Sequence, residues 1–396
     1  MSFHRSIVLA LALSMGAALS LGITRFSYGL LLLPMRTDLD WSYTLAGAMN
    51  TFNALGYLLG AMLAPRLIRR FGPGRLLLGG AALAVVFMGA TGFFASTPVL
   101  LAQRLLAGLA SAWVFVAGGL LAAHLGLRQR AHGALLLGIY YGGTGVGIAL
   151  AAWLVPAMLH AAAGVPHGWS WAWWALAVAG AVASAILAWA VREIAQQPPA
   201  DGPVPRDGRP DGPVSPARYG WALAGYGCFG AGYIGYMTFI VALLRQHGIG
   251  EWQTTLFYSL LGIACVVSPW VWSRLLAGYR GGQPQALLNG LLGVATLLPV
   301  LADSLAVALV SGVLFGGVFL SVVASTTAFV KHNLPQAGWA SGIGAFTIVF
   351  AAGQIVGPVL AGVLADGPGG LGRGLLVSAL VLWTGAALAS RQRALA

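Results

Sequence analysis

Twelve long apolar runs, separated by mostly short polar breaks, leave this chain few ways to fold. They lie at about 7–35, 42–65, 75–96, 99–125, 133–159, 169–191, 219–245, 252–277, 285–302, 304–330, 337–364 and 371–390. About 20 helical residues cross the hydrocarbon core of a bilayer, and nearly every run reaches that length. Inside hydrocarbon the backbone must satisfy its own hydrogen bonds, so such runs can only be helices packed side by side. Composition agrees: 59% of the 396 residues are hydrophobic and 8% charged, against about 25% charged in soluble domains. The expected fold class is an all-α membrane protein with twelve transmembrane helices.

The one long polar break, 196–218, contains PPADGPVPRDGRPDGPVSP. A segment so rich in Pro, Gly and Asp cannot bury a core and reads as a flexible linker. Three units follow: an N-terminal six-helix bundle over 1–194, a linker over 195–217 and a C-terminal six-helix bundle over 218–396. The start of the chain imitates a signal peptide, but its apolar run is too long for one and is kept as the first span.

Arginine supplies 20 of the 21 basic residues, a bias that fits a GC-rich bacterial genome. With the N-terminus inside, sixteen basic residues fall on the inner side and three (Arg36, Arg245, Arg373) on the outer side. This positive-inside asymmetry implies that both termini are cytoplasmic. The net charge of +12 is scattered over short loops, which argues against nucleic acid as a partner.

The two halves resemble each other at a shift near 208–210. Gly22, Tyr28 and Arg36 correspond to Gly230, Tyr236 and Arg245; Arg66–Leu67 recurs as Arg274–Leu275; Gly143 and Gly147 match Gly353 and Gly357. Duplicated halves around a central site are how many secondary transporters are built.

Two basic residues sit inside spans, Arg25 in GITRFSYGLLLLP and Arg104 in AQRLLAGLASAW. A guanidinium at such depth costs at least ~2.5–3.5 kcal/mol on insertion scales, so it is expected to face protein or water. The alternative for Arg25 is snorkelling to the nearer headgroups. All nine acidic residues fall at span ends or in loops, so neither arginine has a carboxylate at its own depth. An anionic ligand that supplies the missing charge is one reading, and two arginines at comparable depth suit a small anion. For Arg104 the competing reading is bonding to backbone carbonyls, with Gly108 one turn on allowing close helix packing.

Further polar groups share these spans. Tyr28 lies one turn from Arg25, and Asn50 and Asn53 lie one turn apart in the second span, as ligand contacts or interhelical glue. Tyr226, Tyr233 and Tyr236 line the seventh span, Ser325, Thr326 and Thr327 the tenth, and Gln354 the eleventh, with ordinary packing as the alternative. Trp169, Trp171, Trp173 and Trp174 read as an interfacial belt. The glycine runs follow no strand and carry no Gly-Lys-Ser/Thr, which excludes a P-loop. Cys228 and Cys265 read as buried hydrophobes. No nucleophile–base pair and no metal-ligand spacing appears, so neither an enzyme, a cofactor nor a metal is expected.

The twelve spans in two related halves, the basic loop after the second span and Arg104-xxx-Gly108 resemble the major facilitator superfamily. GITRFSYGLLLLPMRTDL, SYTLAGAMNTFNALGYLLGA and GAGYIGYMTF are similar to its YbfB/YjiJ group of bacterial transporters. The resemblance implies two pseudo-symmetric six-helix bundles with spans 1, 4, 7 and 10 around a central cavity. It gathers Arg25, Tyr28, Arg104, Tyr233, Tyr236 and Thr326 there; Asn50 and Asn53 join the candidate substrate-binding residues from their place in the second span. The loop PRLIRRFGPGR corresponds to a cytoplasmic gate formed by Arg66, Arg69, Arg70, Gly72 and Arg75. It departs from the superfamily pattern in carrying Arg69 where an Asp is usual.

The expected function is secondary active transport by alternating access in a bacterial inner membrane, with a small organic anion as cargo and a proton or counter-anion as coupling partner. Two alternatives remain: a proton-coupled exporter of amphipathic drugs or metabolites, and a non-transporting membrane sensor or scaffold.

Overall fold

The computed structural model describes residues 3–127, 132–196, 215–335 and 338–395. Among them all regular structure is helical, and twelve long helices follow the twelve apolar runs. They are α1 (Phe3–Asp38), α2 (Tyr43–Phe71), α3 (Pro73–Thr91), α4 (Thr97–Leu127), α5 (Gly133–Ala161) and α6 (Trp169–Ala195). The second half follows with α7 (Gly220–Gln246), α8 (Glu251–Gly278), α9 (Gln283–Leu301), α10 (Leu305–Asn333), α11 (Trp339–Asp366) and α12 (Gly370–Ser390). A short 3₁₀ turn, Pro216–Tyr219, leads into α7. The expected linker lies for the most part, at 197–214, outside the described residues, as do Arg128 and Arg130.

By length and composition, eleven helices are apolar enough to cross a membrane. The other, α2, has 29 residues, but Asn50, Thr51 and Asn53 interrupt its apolar run. Local chemistry sets the helix ends. Ser42 Oγ accepts from Leu45 N at 3.1 Å and caps α2, and Ser304 Oγ accepts from Val307 N at 3.3 Å and caps α10. At the other end of α2, Gly72 takes φ +81° and Pro73 starts α3, so the chain turns within a single residue.

The helices pack through small residues, as membrane helices do. A Cβ on Gly108 would sit 2.0 Å from Asn53 O, and one on Gly316 would sit 2.1 Å from Leu261 O. The α2–α4 contact is thus repeated 208 residues later between α8 and α10. Likewise Gly143 and Gly147 lie against Ser14 O and Ala18 O of α1, while Gly353 and Gly357 lie against Gly227 O and Ala231 O of α7. The duplication read in the sequence is therefore a duplication of helix contacts, and the fold is two pseudo-symmetric six-helix bundles.

α1 is not uniform. Ala18–Phe26 is a π-helix between α-helical Phe3–Ala17 and Tyr28–Asp38. Ser27 N donates to Gly22 O, five residues back, at 3.2 Å, and Thr24 Oγ1 takes the same step to Leu19 O at 2.7 Å. Such wide turns are rare and collect at functional sites. This one carries Arg25.

The halves meet along α2–α11, α5–α8 and α1–α7. At the end of the bundle opposite Gly72, Asp366 closes α11 and caps α2 from the other half. Its Oδ1 accepts from Tyr43 N at 2.7 Å, and its Oδ2 accepts from Thr44 N at 2.9 Å and Thr44 Oγ1 at 2.6 Å. A carboxylate at a helix N-terminus is favoured by the unpaired N–H groups and the helix dipole. Deeper along the same seam, Thr51 Oγ1 donates to Ile355 O at 2.7 Å and Asn50 Nδ2 donates to Thr238 Oγ1 at 2.8 Å. Replacing Asp366 with alanine removes the carboxylate that accepts all three outermost bonds. The variant is expected to open this end, seen as a several-fold faster reaction of a Thr51→Cys reporter with a water-soluble maleimide.

Candidate functional site

At the depth where the π-helix interrupts α1, two guanidiniums are buried, Arg25 at 2% exposure and Arg104 at 1%. Neither snorkels to the surface. Among the described residues Glu193 pairs with Arg5 and Glu251 with Arg245, while Asp38 lies against His167 and Asp303 against His247, all at or beside helix ends. None of these carboxylates reaches the two central arginines.

The two charges are held in different ways. Arg104 donates from Nη1 to Thr24 O of α1 at 2.7 Å and from Nη2 to Asn50 Oδ1 of α2 at 3.2 Å. Its Nε points to Met49 O at 3.5 Å. Its Cζ also lies 5.2 Å from the Tyr28 ring and 5.5 Å from the Trp173 ring, within cation–π range. Tyr28 OH is itself tied to Ala46 O at 2.7 Å, and Asn53 Nδ2 donates back to Arg104 O at 3.2 Å. One side chain of α4 thus fastens α1 to α2. This matches the carbonyl-bonding alternative that the sequence left open.

Arg25 is held far more sparsely. Its Nη2 donates to Gln354 Oε1 of α11 at 2.7 Å, and its Nε is buried with no partner. Gln354, 1% exposed, passes the contact on from Nε2 to Tyr233 OH of α7 at 2.6 Å. The Tyr57 ring of α2 lies 5.8 Å from Arg25 Cζ. A buried cation whose hydrogen-bonding partner is one neutral amide is electrostatically incomplete, because an amide oxygen carries only a partial charge. The chain Arg25–Gln354–Tyr233 is also a bridge between the halves. A second bridge, from Tyr258 OH to Phe26 O at 2.9 Å, lies beside it.

Of the residues singled out from sequence, the structure gathers Arg25 and Tyr233 into one cluster. It gathers Arg104, Tyr28, Asn50 and Asn53 into a neighbouring one. Tyr236 turns into the C-terminal half, where it bonds Ser311 Oγ at 2.7 Å and stacks on Phe315 at 4.0 Å. Thr326 Oγ1 bonds Val323 O of its own helix at 2.9 Å. The loop arginines Arg66, Arg69, Arg70 and Arg75 are exposed around Gly72. Gln354 and Tyr57 complete the Arg25 cluster, and sequence reasoning did not place them there. A glutamine in the middle of an apolar run was the available signal for the first, and the face shared with Asn53 for the second.

The tryptophan group divides. Trp171 is exposed, as a belt residue should be, but Trp173 is fully buried beside Arg104 and Trp169 donates to Asp38 Oδ2 at 2.6 Å. Helical periodicity turns alternate members of the group inward. Among the described residues no group of His, Cys, Asp and Glu is arranged to hold a metal ion.

Comparison with solved structures gives the fold. A bacterial homologue of the human lysosomal transporter Spinster, in an inward-facing and unoccupied conformation, superposes with a TM-score of 0.70 at 14% identity, over 98% of this chain and 97% of that one. The nucleoside transporter NupG superposes with a TM-score of 0.68 at 14% identity, over 98% of this chain and 99% of that one. No curated protein matches the sequence. The family model described as "Uncharacterised MFS-type transporter YbfB" matches residues 17–390. The chain therefore belongs to that family of major facilitator transporters and is a multi-pass membrane transport protein.

Proposed function

We propose that the protein is a secondary transporter of a small organic anion, working by alternating access in a bacterial inner membrane with both termini cytoplasmic. The observation that carries the proposal is Arg25: a buried central cation with an unpartnered Nε and a neutral amide where a countercharge belongs. A carboxylate outcompetes the Gln354 amide for the guanidinium, since charge-assisted bonds are about twice as strong as neutral ones. Arrival of the anion then releases Gln354, and with it one of the bridges between the halves. The bundles 1–194 and 218–396, joined by the linker 195–217, rock about that point. The positive-inside asymmetry puts the Asp366 seam on the outer side and the Arg66–Arg75 loop on the inner side.

Arg104 keeps α1 and α2 in place around the site, and Asn50 and Tyr28 keep Arg104 in place. Tyr233 orients the anion through the position Gln354 vacates. All nine carboxylates fall at span ends or in loops of the sequence, so a coupled proton travels on the cargo's own acid group or through a peripheral residue such as Asp366. The structural neighbours include a nucleoside transporter, which fits small-molecule cargo of this size.

Uptake into proteoliposomes tests the reading. Benzoate, succinate and phosphate are to be compared with the neutral solutes benzyl alcohol and uridine. Saturable uptake of an anion and none of the neutral solutes is expected. Uptake of neutral solutes alone would contradict it and favour the exporter alternative.

A further inference from the structure

The rings around Arg25 say more about the cargo than its charge does. Along the inner face of α7 and α11, Tyr226, Phe229, Tyr233 and Phe350 form a stack. Phe229 lies 4.8 Å from Tyr233 with ring planes 20° apart, and Phe350 lies 5.4 Å from Phe229 and 5.7 Å from Tyr233, each at 13°. Phe350 also lies 5.0 Å from Tyr226 at 20°. Nearly parallel rings at these separations are offset-stacked and together form an aromatic wall. The wall begins at Tyr233, the same residue that closes the hydrogen-bonded chain from Arg25. Tyr226, Phe229 and Tyr233 are buried, Tyr233 also lying 6.1 Å from Phe319, whereas Phe350 is half-buried and is the uncovered part of the stack. The N-terminal half supplies Tyr57, also half-buried, whose ring lies 5.8 Å from Arg25 Cζ, with Phe115 next to it at 6.4 Å.

We infer that the anion is a planar aromatic acid, its carboxylate on Arg25 and its ring between Tyr57 of one half and the Tyr233–Phe350 wall of the other. The inference rests on the anion reading above and adds the shape of the molecule to it. A carboxylate paired with the Arg25 guanidinium carries its attached ring into the aromatic surroundings of Arg25, where the Tyr57 ring lies 5.8 Å from Cζ. Tyr57, already within cation–π distance of Arg25, is at the right depth to cover it. An aliphatic acid of equal volume buries the same surface but does not stack. The rings belong to opposite halves, so an aromatic cargo replaces the lost Arg25–Gln354 bridge with a contact to both.

The test compares benzoate with cyclohexanecarboxylate, which has the same charge and nearly the same size. Equilibrium dialysis with labelled benzoate, and competition by the unlabelled saturated acid, gives both affinities on purified full-length protein. Benzoate is expected to bind about three- to ten-fold tighter, the preference stacking confers over plain burial. Tyr57→Leu and Phe350→Leu, made separately, are each expected to shrink the preference toward parity while cyclohexanecarboxylate affinity stays within two-fold. Equal affinities in the wild type would overturn the aromatic assignment and leave the anion reading standing. Binding of benzyl alcohol with no binding of either acid would overturn both.

Discussion

Arg104→Ala is expected to leave the protein poorly folded, with a transition temperature in detergent lowered by about 5 °C or more. The substitution strips Thr24 O and Asn50 Oδ1 of their donor inside the bundle. Each buried acceptor left unpaired costs about 1–3 kcal/mol, so the pair costs about 2–6 kcal/mol. Relief from removing a buried charge offsets part of this. Set against a total stability of about 5–15 kcal/mol, the remainder is a large loss. Lysine is not expected to rescue it. A single ammonium on a flexible stem does not reproduce the planar fork that reaches α1 and α2 together. Size-exclusion profiles and thermal melts of the two variants check this. A monodisperse Arg104→Ala protein that melts like the wild type would show that the carbonyl contacts contribute little.

Arg25→Gln is expected to do the opposite: keep the fold and lose the ligand. Glutamine keeps a hydrogen-bonding amide on this face of α1, and removal of a buried charge with no countercharge is neutral or stabilising. The melting temperature should therefore hold or rise. Anion affinity should fall by about 30-fold or more, because losing one partner of a buried charge pair costs about 2–5 kcal/mol. On the proposed reading, two arginines of nearly equal burial separate into a strut and a receptor. The distinction follows from what surrounds each of them. Arg104 has carbonyls of two helices and Asn50 about it, whereas Arg25 has one amide and a bare Nε.

Much of the fold was legible because hydrocarbon imposes a single rule on every span. Apolar runs of bilayer length become helices, and the twelve runs lie within a few residues of the observed helices, apart from a longer C-terminal end to α2 and an earlier end to α3. The repeat was legible too, since close helix approach demands glycine, and glycines such as Gly143 and Gly353 recur wherever the contact recurs. The π-helix at Ala18–Phe26 was not, because nothing in ALSLGITRF distinguishes a wide turn from an ordinary one.

The site was legible in part. Arg25 announces itself by the cost of its burial, and the lack of any carboxylate at its depth can be counted along the chain. Its partner Gln354 is 329 residues away, and pairing across halves leaves no local periodicity. The same holds for Arg104, whose partners are mostly backbone carbonyls. Every residue carries a carbonyl, so no side chain in the sequence points to them. Trp173 misled for a related reason: a cluster of indoles near a helix start resembles a belt, and only the facing helices decide which of them turn inward.

The most direct measurement is the stabilisation of purified protein by benzoate, with benzyl alcohol at equal concentration as the uncharged control. A ligand that binds only the folded state raises its stability by RT ln(1 + [L]/Kd), about 2.7 kcal/mol at a hundred-fold excess over Kd. Benzoate is expected to raise the melting temperature of the wild type, to leave Arg25→Gln unmoved, and to exceed benzyl alcohol clearly. An equal rise in Arg25→Gln, or an equal rise with benzyl alcohol, would show that the Arg25 charge is not what the cargo meets.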